Sequence, residues 1–277
     1  MSMEEAGKWL WGNKGWLITK FKQLRTWYQG GPGTILIIGP GGVGKTTLAK
    51  MIAGEYDSFF KSPGDYEESL DVETTTLDGN PPVEIVVPPG QKLRRESTWT
   101  QLKQKISGGE IRGIVQIAAY GYHSIGNISY KKDGVYDKPR HEDNIEQFVS
   151  DFSETKRRDE VNVLKGLLPH IETASCKMWF LTVVTKQDLW WPFRKDVEGF
   201  YSTGEFGQQL QQLYEKKNRQ TFRHEKVFGS LVIRNFETGF GELLQKNTAG
   251  YDHPMQVASV RQLIETLDAL RSWEQRK

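Results

Sequence analysis

Four branched aliphatic residues in a row, Ile35-Leu36-Ile37-Ile38, run directly into Gly39-Pro40-Gly41-Gly42-Val43-Gly44-Lys45-Thr46-Thr47. The apolar run bounded by glycines reads as a buried strand that turns sharply, and the helix formers from Thr47 onward read as a helix. In a strand, turn and helix of this kind, glycines let backbone N–H groups point inward around phosphates, and the helix N-terminus adds the positive end of its dipole. Gly39, Gly41, Gly42, Val43, Gly44 and Thr47 are therefore the candidate phosphate cradle. Lys45 reaches the outer phosphates, and the Thr46 hydroxyl is the candidate ligand for Mg²⁺.

Composition adds only limits. A chain of 277 residues can hide roughly three quarters of its unfolded surface, enough for one large or two small domains. The 37 Lys and Arg residues nearly balance the 35 Asp and Glu residues, so no field points to nucleic acid as a partner. Cys176 is the single cysteine, which excludes an intramolecular disulfide, and its apolar neighbours predict a buried core thiol in a reducing, cytoplasmic compartment. No apolar run approaches the roughly 20 residues that span a bilayer, and no signal-peptide pattern is read at the start. The five histidines lack metal-ligand spacing, and no zinc site is expected.

Residues 1–29 stand apart as a basic amphipathic arm, with apolar positions at 17, 21, 24 and 28 and lysines largely off that stripe. Such a helix either packs on the domain behind it or makes a peripheral membrane contact. Residues 30–277 form the main domain after a Gly30–Gly33 hinge. Alternation predicts strands at Ser69–Leu77 and Val83–Val87 joined as a hairpin by Asp78-Gly79-Asn80-Pro81. A helix is expected at Ser97–Ile106, a strand at Ile111–Ala119, an insertion at about 120–140, and helices at Asp143–Phe152 and Thr155–Leu168. Further elements are a strand at Lys177–Val184, a helix at Phe206–Lys217, a strand at Lys226–Phe236 and a final helix at Met255–Trp273. Strands alternating with helices predict an α/β fold, a mostly parallel sheet with helices on both faces.

The wording of the P-loop alone is similar to that of NB-ARC signalling ATPases and of the deviant ATPases that partition DNA. The signature lysine of the second group would fall at Pro40. The first group needs an apolar strand ending in an acidic pair, and neither Val83–Val87 nor Ile111–Ala119 ends in one. An ATP-dependent signalling switch is thus the third expectation. Beyond the P-loop, the order of motifs resembles the Ras-like small GTPases, closest to the Arf-like branch. The residues that carry this are Asp71-Val72-Glu73-Thr74, Gly90-Gln91 with Arg94 and Trp99, Thr185-Lys186-Gln187-Asp188-Leu189, and the N-terminal helix. The resemblance covers about residues 33–120 and 160–273.

The resemblance implies a Ras-like G domain that binds GTP or GDP with Mg²⁺. Asp188 would accept from N1–H and the 2-amino group of guanine, Lys186 would lie along the base, and Thr185 would stand where asparagine is commoner. Glu237-Thr238-Gly239 would form a base-supporting loop, which makes Thr238 a candidate. Gln91 would place the attacking water and, with Lys45, carry any catalysis. The chain departs from the family at Val87-Pro88-Pro89, where an aspartate is usual, and it has no threonine between Tyr56 and Glu68. Such a depleted metal site implies slow or partner-dependent hydrolysis by a switch whose segments near 58–70 and 88–100 meet an effector or activating partner. The alternative is a nucleotide-binding module that does not hydrolyse.

Overall fold

Four stretches of this chain are apolar on both faces of an extended backbone, and the sheet they enter is covered on both sides. The computed structural model describes Thr19 and residues 33–53, 71–77, 83–90, 92–125, 136–218 and 220–276. Apart from Thr19, the expected arm lies outside these residues, as do Gln91, the segment 58–70, the turn at 78–81 and the centre of the 120–140 insertion. The sheet holds six strands: β1 (Gly33–Ile38), β2 (Glu73–Leu77), β3 (Val83–Val87), β4 (Ile111–Ala118), β5 (Met178–Val184) and β6 (Phe222–Phe228). Their order is β2-β3-β1-β4-β5-β6. Every neighbouring pair is parallel except β2 with β3, which runs antiparallel as the hairpin reading requires.

The helices are α1 (Lys45–Ala53), α2 (Lys92–Ser107), α3 (Lys138–His141), α4 (Ile145–Lys165), α5 (Leu168–Thr173), α6 (Gln187–Trp190), α7 (Arg194–Ser202), α8 (Glu205–Lys216) and α9 (His253–Gln275). Because side chains alternate along a strand, each central strand feeds two cores. Ile35, Ile37, Ile85, Val115, Ile117, Leu181 and Val183 pack with α1 and α9, through Leu48, Met51, Val260, Ile264 and Leu267 among others. Leu36, Ile38, Val86, Ile114, Phe180 and Val184 face the other way, onto α2, α4, α7 and α8. This is the layering expected of a parallel sheet, whose strands read as continuous apolar runs since neither face meets water.

Several boundaries differ from the sequence reading, each for a physical reason. The two helices expected at Asp143–Phe152 and Thr155–Leu168 are one helix, α4, which runs unbroken through Ser153-Glu154 because Phe148, Phe152, Val161 and Leu164 continue one buried face on either side of that pair. Pro169 does not end that helix but opens α5, where its missing N–H costs nothing. The strand expected at Lys226–Phe236 lies earlier, as β6, because Phe222 rather than Phe236 enters register opposite Met178. Phe236 instead starts a small hairpin, β7 (Phe236–Glu237) with β8 (Leu243–Gln245). Cys176, expected as a buried thiol, is partly buried at the edge of the core. Among the described residues no helix is long and apolar enough to cross a membrane.

One glycine shows how closely the central strands are fitted. Gly113 on β4 lies opposite Trp179 on β5, and a Cβ added there would stand 2.2 Å from the indole ring. The ring is held in turn by a hydrogen bond from its Nε1 to Glu274 of α9, at 2.8 Å. Gly113→Ala should lower unfolding stability by about 1–3 kcal/mol, since the buried indole has no room to retreat; urea unfolding followed by tryptophan fluorescence measures this.

Candidate functional site

The strand order decides where a ligand can sit. β1 lies in the middle, with the chain's next parallel strand, β3, on one side and β4 on the other. The loops leaving β1 in one direction and β4 in the other open a crevice at the carboxyl ends of these strands. The P-loop fills that position. Gly42 has φ 73°, and a Cβ on it would lie 2.6 Å from the backbone nitrogen of Ser124; at this close approach only glycine avoids both clash and strain. Lys45 opens α1 and is buried, with its ammonium donating to the Pro40 carbonyl at 3.0 Å across the loop. Thr46 and Thr47 occupy the first turn behind it.

Gly90 is brought to the same place. A Cβ there would stand 2.4 Å from Lys45 Nζ and 2.7 Å from the Gly39 carbonyl oxygen, so the buried Pro88-Pro89-Gly90 turn closes directly on the phosphate cradle. The strand before it ends in Val87, packed in the same apolar cluster as Val43 and Leu48. Of the residues expected nearby, Gln91 lies outside the described residues.

At the end of β5 the chain makes the second half of the site. Thr185 is buried, and its one hydroxyl proton is shared between the Val43 carbonyl at 2.8 Å and the Ala118 carbonyl at 3.0 Å. Lys186 follows in the left-handed region, φ 58°, which turns its ammonium toward Ser124 Oγ at 3.2 Å. Burial and the neighbouring Arg234 guanidinium hold Lys186 down to about 7, against an opposing pull from Asp188 and Glu160. Asp188, in α6, is 1% exposed. Its Oδ1 accepts from Ser230 Oγ at 2.5 Å and its Oδ2 from the Arg234 backbone N–H at 3.1 Å. Burial pushes the Asp188 carboxyl up, and these hydrogen bonds pull it back.

The loop that holds Asp188 is Gly229-Ser230-Leu231, directly after β6, while Glu237-Thr238-Gly239, expected as a base-supporting loop, lies at the β7–β8 hairpin. Ser230 both donates to Asp188 Oδ1 and accepts from the Asp188 backbone N–H at 2.9 Å. Thr238 sits in the turn of the β7–β8 hairpin, where its hydroxyl oxygen accepts from Glu242 N at 3.1 Å. Placing the end of that strand eight residues too late hid Ser230, since a serine following Phe228-Gly229 is the signal that a strand ending there would have offered.

Ser124 and Glu160 were not singled out from the sequence. Ser124, inside the stretch read as an insertion, donates its backbone N–H and its hydroxyl to the Gly42 carbonyl, at 3.1 and 3.2 Å. What holds Ser124 there is Glu160 of α4, which is fully buried. Its Oε1 accepts from Ala119 N at 2.8 Å, Gly121 N at 3.1 Å and His123 Nε2 at 2.9 Å, and its Oε2 accepts from the Tyr201 hydroxyl. Tyr120, at φ 49°, and Gly121, at φ 84°, bend the chain around this carboxyl group. Burial outweighs the pull of Glu160 on His123 and lowers its imidazole below the usual histidine range. Tyr201 is raised well above the ordinary phenol range by burial and by Glu160. Among the described residues no cluster of His, Cys, Asp or Glu could hold a metal ion.

No family model matches the chain, and no curated protein matches it in sequence. Among solved structures it is similar to an ADP-ribosylation-factor-like GTP-binding protein, the small COPII coat GTPase SAR1 of Encephalitozoon cuniculi in complex with GDP. That pair is 14% identical, covers 97% of this chain and 96% of the other, and has a TM-score of 0.37. The mammalian SRP receptor is 12% identical with a TM-score of 0.44, covering 86% of this chain and 99% of that one. Toc33 of Arabidopsis thaliana in complex with Mg²⁺ and GMPPNP is 15% identical with a TM-score of 0.46, covering 94% and 92%. Those overlaps are loose. What the chain shows by itself is an α/β fold: a six-stranded sheet, parallel but for one antiparallel edge strand, with a P-loop after its central strand.

Glu160 supplies the acceptors for two backbone donors, an imidazole and a phenol, so its replacement by an amide reverses one half of that set. Glu160→Gln should cost about 2–4 kcal/mol of unfolding stability, as buried donors lose their acceptor. The amides of Ala119, Gly121 and Ser124 should exchange with deuterium faster in this variant, which mass spectrometry of the 119–124 peptide reads directly.

Proposed function

We propose that this protein binds guanine nucleotides and acts as a slow GTPase switch, hydrolysing GTP to GDP and phosphate. The observation that carries the reading is Thr185, whose hydroxyl ties the start of the base-side motif to the P-loop itself. Asp188 and Lys45 therefore stand on one rigid frame, as a ligand with a base at one end and phosphates at the other requires. A buried carboxylate can accept from the N1–H and 2-amino donors of guanine, and adenine offers no such pair; rejection would leave a buried polar group unpaired.

The residues present fit Mg²⁺ only in company with the nucleotide. A Mg²⁺ ion keeps several waters and takes one or two protein oxygens beside phosphate oxygens, and Thr46 on the first turn of α1 would supply its hydroxyl. Bound there, the ion would neutralise charge on the phosphates. Lys45 would leave the Pro40 carbonyl for the outer phosphates, and Gly90 would lie against the same group. Val87, buried at the strand end, provides no carboxylate to orient the ion. That favours slow turnover, with Gln91 as the candidate for placing water and with an effector or activating protein as partner. The same valine also favours a second reading, a module that holds GTP or GDP without hydrolysing it.

Two outcomes test the binding reading. Wild-type protein should prefer GDP over ADP, and Asp188→Ala should erase that preference, a change on the order of 10³- to 10⁴-fold; titration calorimetry with both nucleotides measures it, and equal binding of ADP by the wild type would count against a guanine site. The second outcome concerns Lys186, held at about 7 in the free protein. Nearby phosphate charge raises a lysine, so above about pH 7 binding should take up a proton and GDP affinity should fall as pH rises, by up to about tenfold per unit. Calorimetry in buffers of different ionisation enthalpy reads this uptake, and proton release would contradict it.

A further inference from the structure

Asp188 is the group that would read the base, yet its carboxylate presents nothing to solvent. One oxygen is held by Ser230, part of the frame, and the other by the backbone N–H of Arg234, a residue that itself lies on the surface. The Arg234 side chain then crosses the cleft, with Nη2 3.2 Å from Ser124 Oγ. That hydroxyl also accepts from Lys186 Nζ at 3.2 Å and belongs to the loop bonded to Gly42. One residue thus joins the β6 side of the crevice to the P-loop side, over the lysine expected to lie along a base.

The contacts at the middle of this segment are opposed, and those at its ends are firm. Two cations share one neutral hydroxyl, and each disfavours the charge of the other. On either side, the Leu231 carbonyl accepts from Gln256 Nε2 at 2.9 Å, and Asn235 Oδ1 accepts from the Asn247 backbone N–H at 3.1 Å. A chain pinned at both ends, and held between them by one backbone bond to Asp188 and an opposed pair of cations on one hydroxyl, can lift at its centre without loss of the fold once a ligand replaces that bond.

We propose that the Leu231–Asn235 segment is a strap closed over the base site, latched by Arg234, and that a guanine nucleotide enters by taking Asp188 Oδ2 from the Arg234 N–H. The inference rests on the guanine-site reading and adds its regulation: Arg234 opposes binding rather than assisting it. Removing the guanidinium unlatches the strap from Ser124, relieves Lys186 of a neighbouring cation and leaves the surface position otherwise intact.

The test is stopped-flow association of N-methylanthraniloyl-GDP with the full chain, as wild type, Arg234→Ala, Ser124→Ala and the double variant. Arg234→Ala is expected to speed association and tighten binding by about three- to tenfold, the scale of one lost hydrogen bond. In the Ser124→Ala background the same change should add little, because the far anchor of the latch is already gone. Weaker or slower binding by Arg234→Ala would make Arg234 a ligand contact and overturn the strap, as would unchanged binding or full additivity with Ser124→Ala. Guanine-selective binding that ignores Arg234 removes the strap alone; no guanine selectivity in any of the four proteins removes the guanine site with it.

Discussion

A single hydroxyl proton on Thr185, divided between the carbonyls of Val43 and Ala118, fastens three loops that leave three different strands. Each of those strands is fixed by its neighbours in the sheet, yet the loops themselves carry little apolar surface to hold them. Backbone carbonyls at strand ends need a partner when buried, and Thr185 satisfies two with one side chain. The P-loop, the β4 loop and the Thr185–Asp188 segment are consequently registered against each other. Glu160 extends the same logic one layer outward, fixing the β4 loop from behind so that Ser124 meets Gly42. Remove the Thr185 donor or the Glu160 acceptors, and the crevice keeps its floor but not its walls.

The parts of this arrangement that were legible in the sequence share one property: their signal is local. A strand, glycines and a lysine within fifteen residues define the P-loop, and apolar runs define the central strands. Asp188 was singled out through the resemblance of Thr185-Lys186-Gln187-Asp188 to a family motif, and it is buried in α6, just past the end of β5. Glu160 was not, because nothing around it in the sequence distinguishes a carboxylate buried under a loop 40 residues away from those on the solvated side of an amphipathic helix. Ser230 was missed through a shifted edge strand. β6 alternates half-buried polar residues with few apolar ones, so its pattern is weak, and the more apolar Phe236 drew the boundary away. The extra hairpin that Phe236 begins has only two and three residues per strand, too short for any periodicity to register.

Electrostatics in the crevice is arranged around absence of balance. Lys186 and Arg234 approach one hydroxyl from two sides, while the nearest carboxylate is occupied by backbone and serine donors. Lys45 is turned back onto its own loop. Positive groups that satisfy themselves on neutral oxygens lose little when an anion replaces those oxygens, since charge-assisted bonds are stronger than neutral ones. The anionic ligand proposed above would in this sense pair these cations better than their neutral oxygens do.

Val87 carries a consequence for how this site can change over time. It points into the α1 core with Val43, Leu48, Ile85 and Ile117 and is 2% exposed. A carboxylate introduced there alone would be stripped of water among aliphatic groups, a cost of several kcal/mol unless a cation or donors arrive with it. Such a step must coincide with others to be tolerated. The packing thereby resists any single substitution that would place a carboxylate at this strand end.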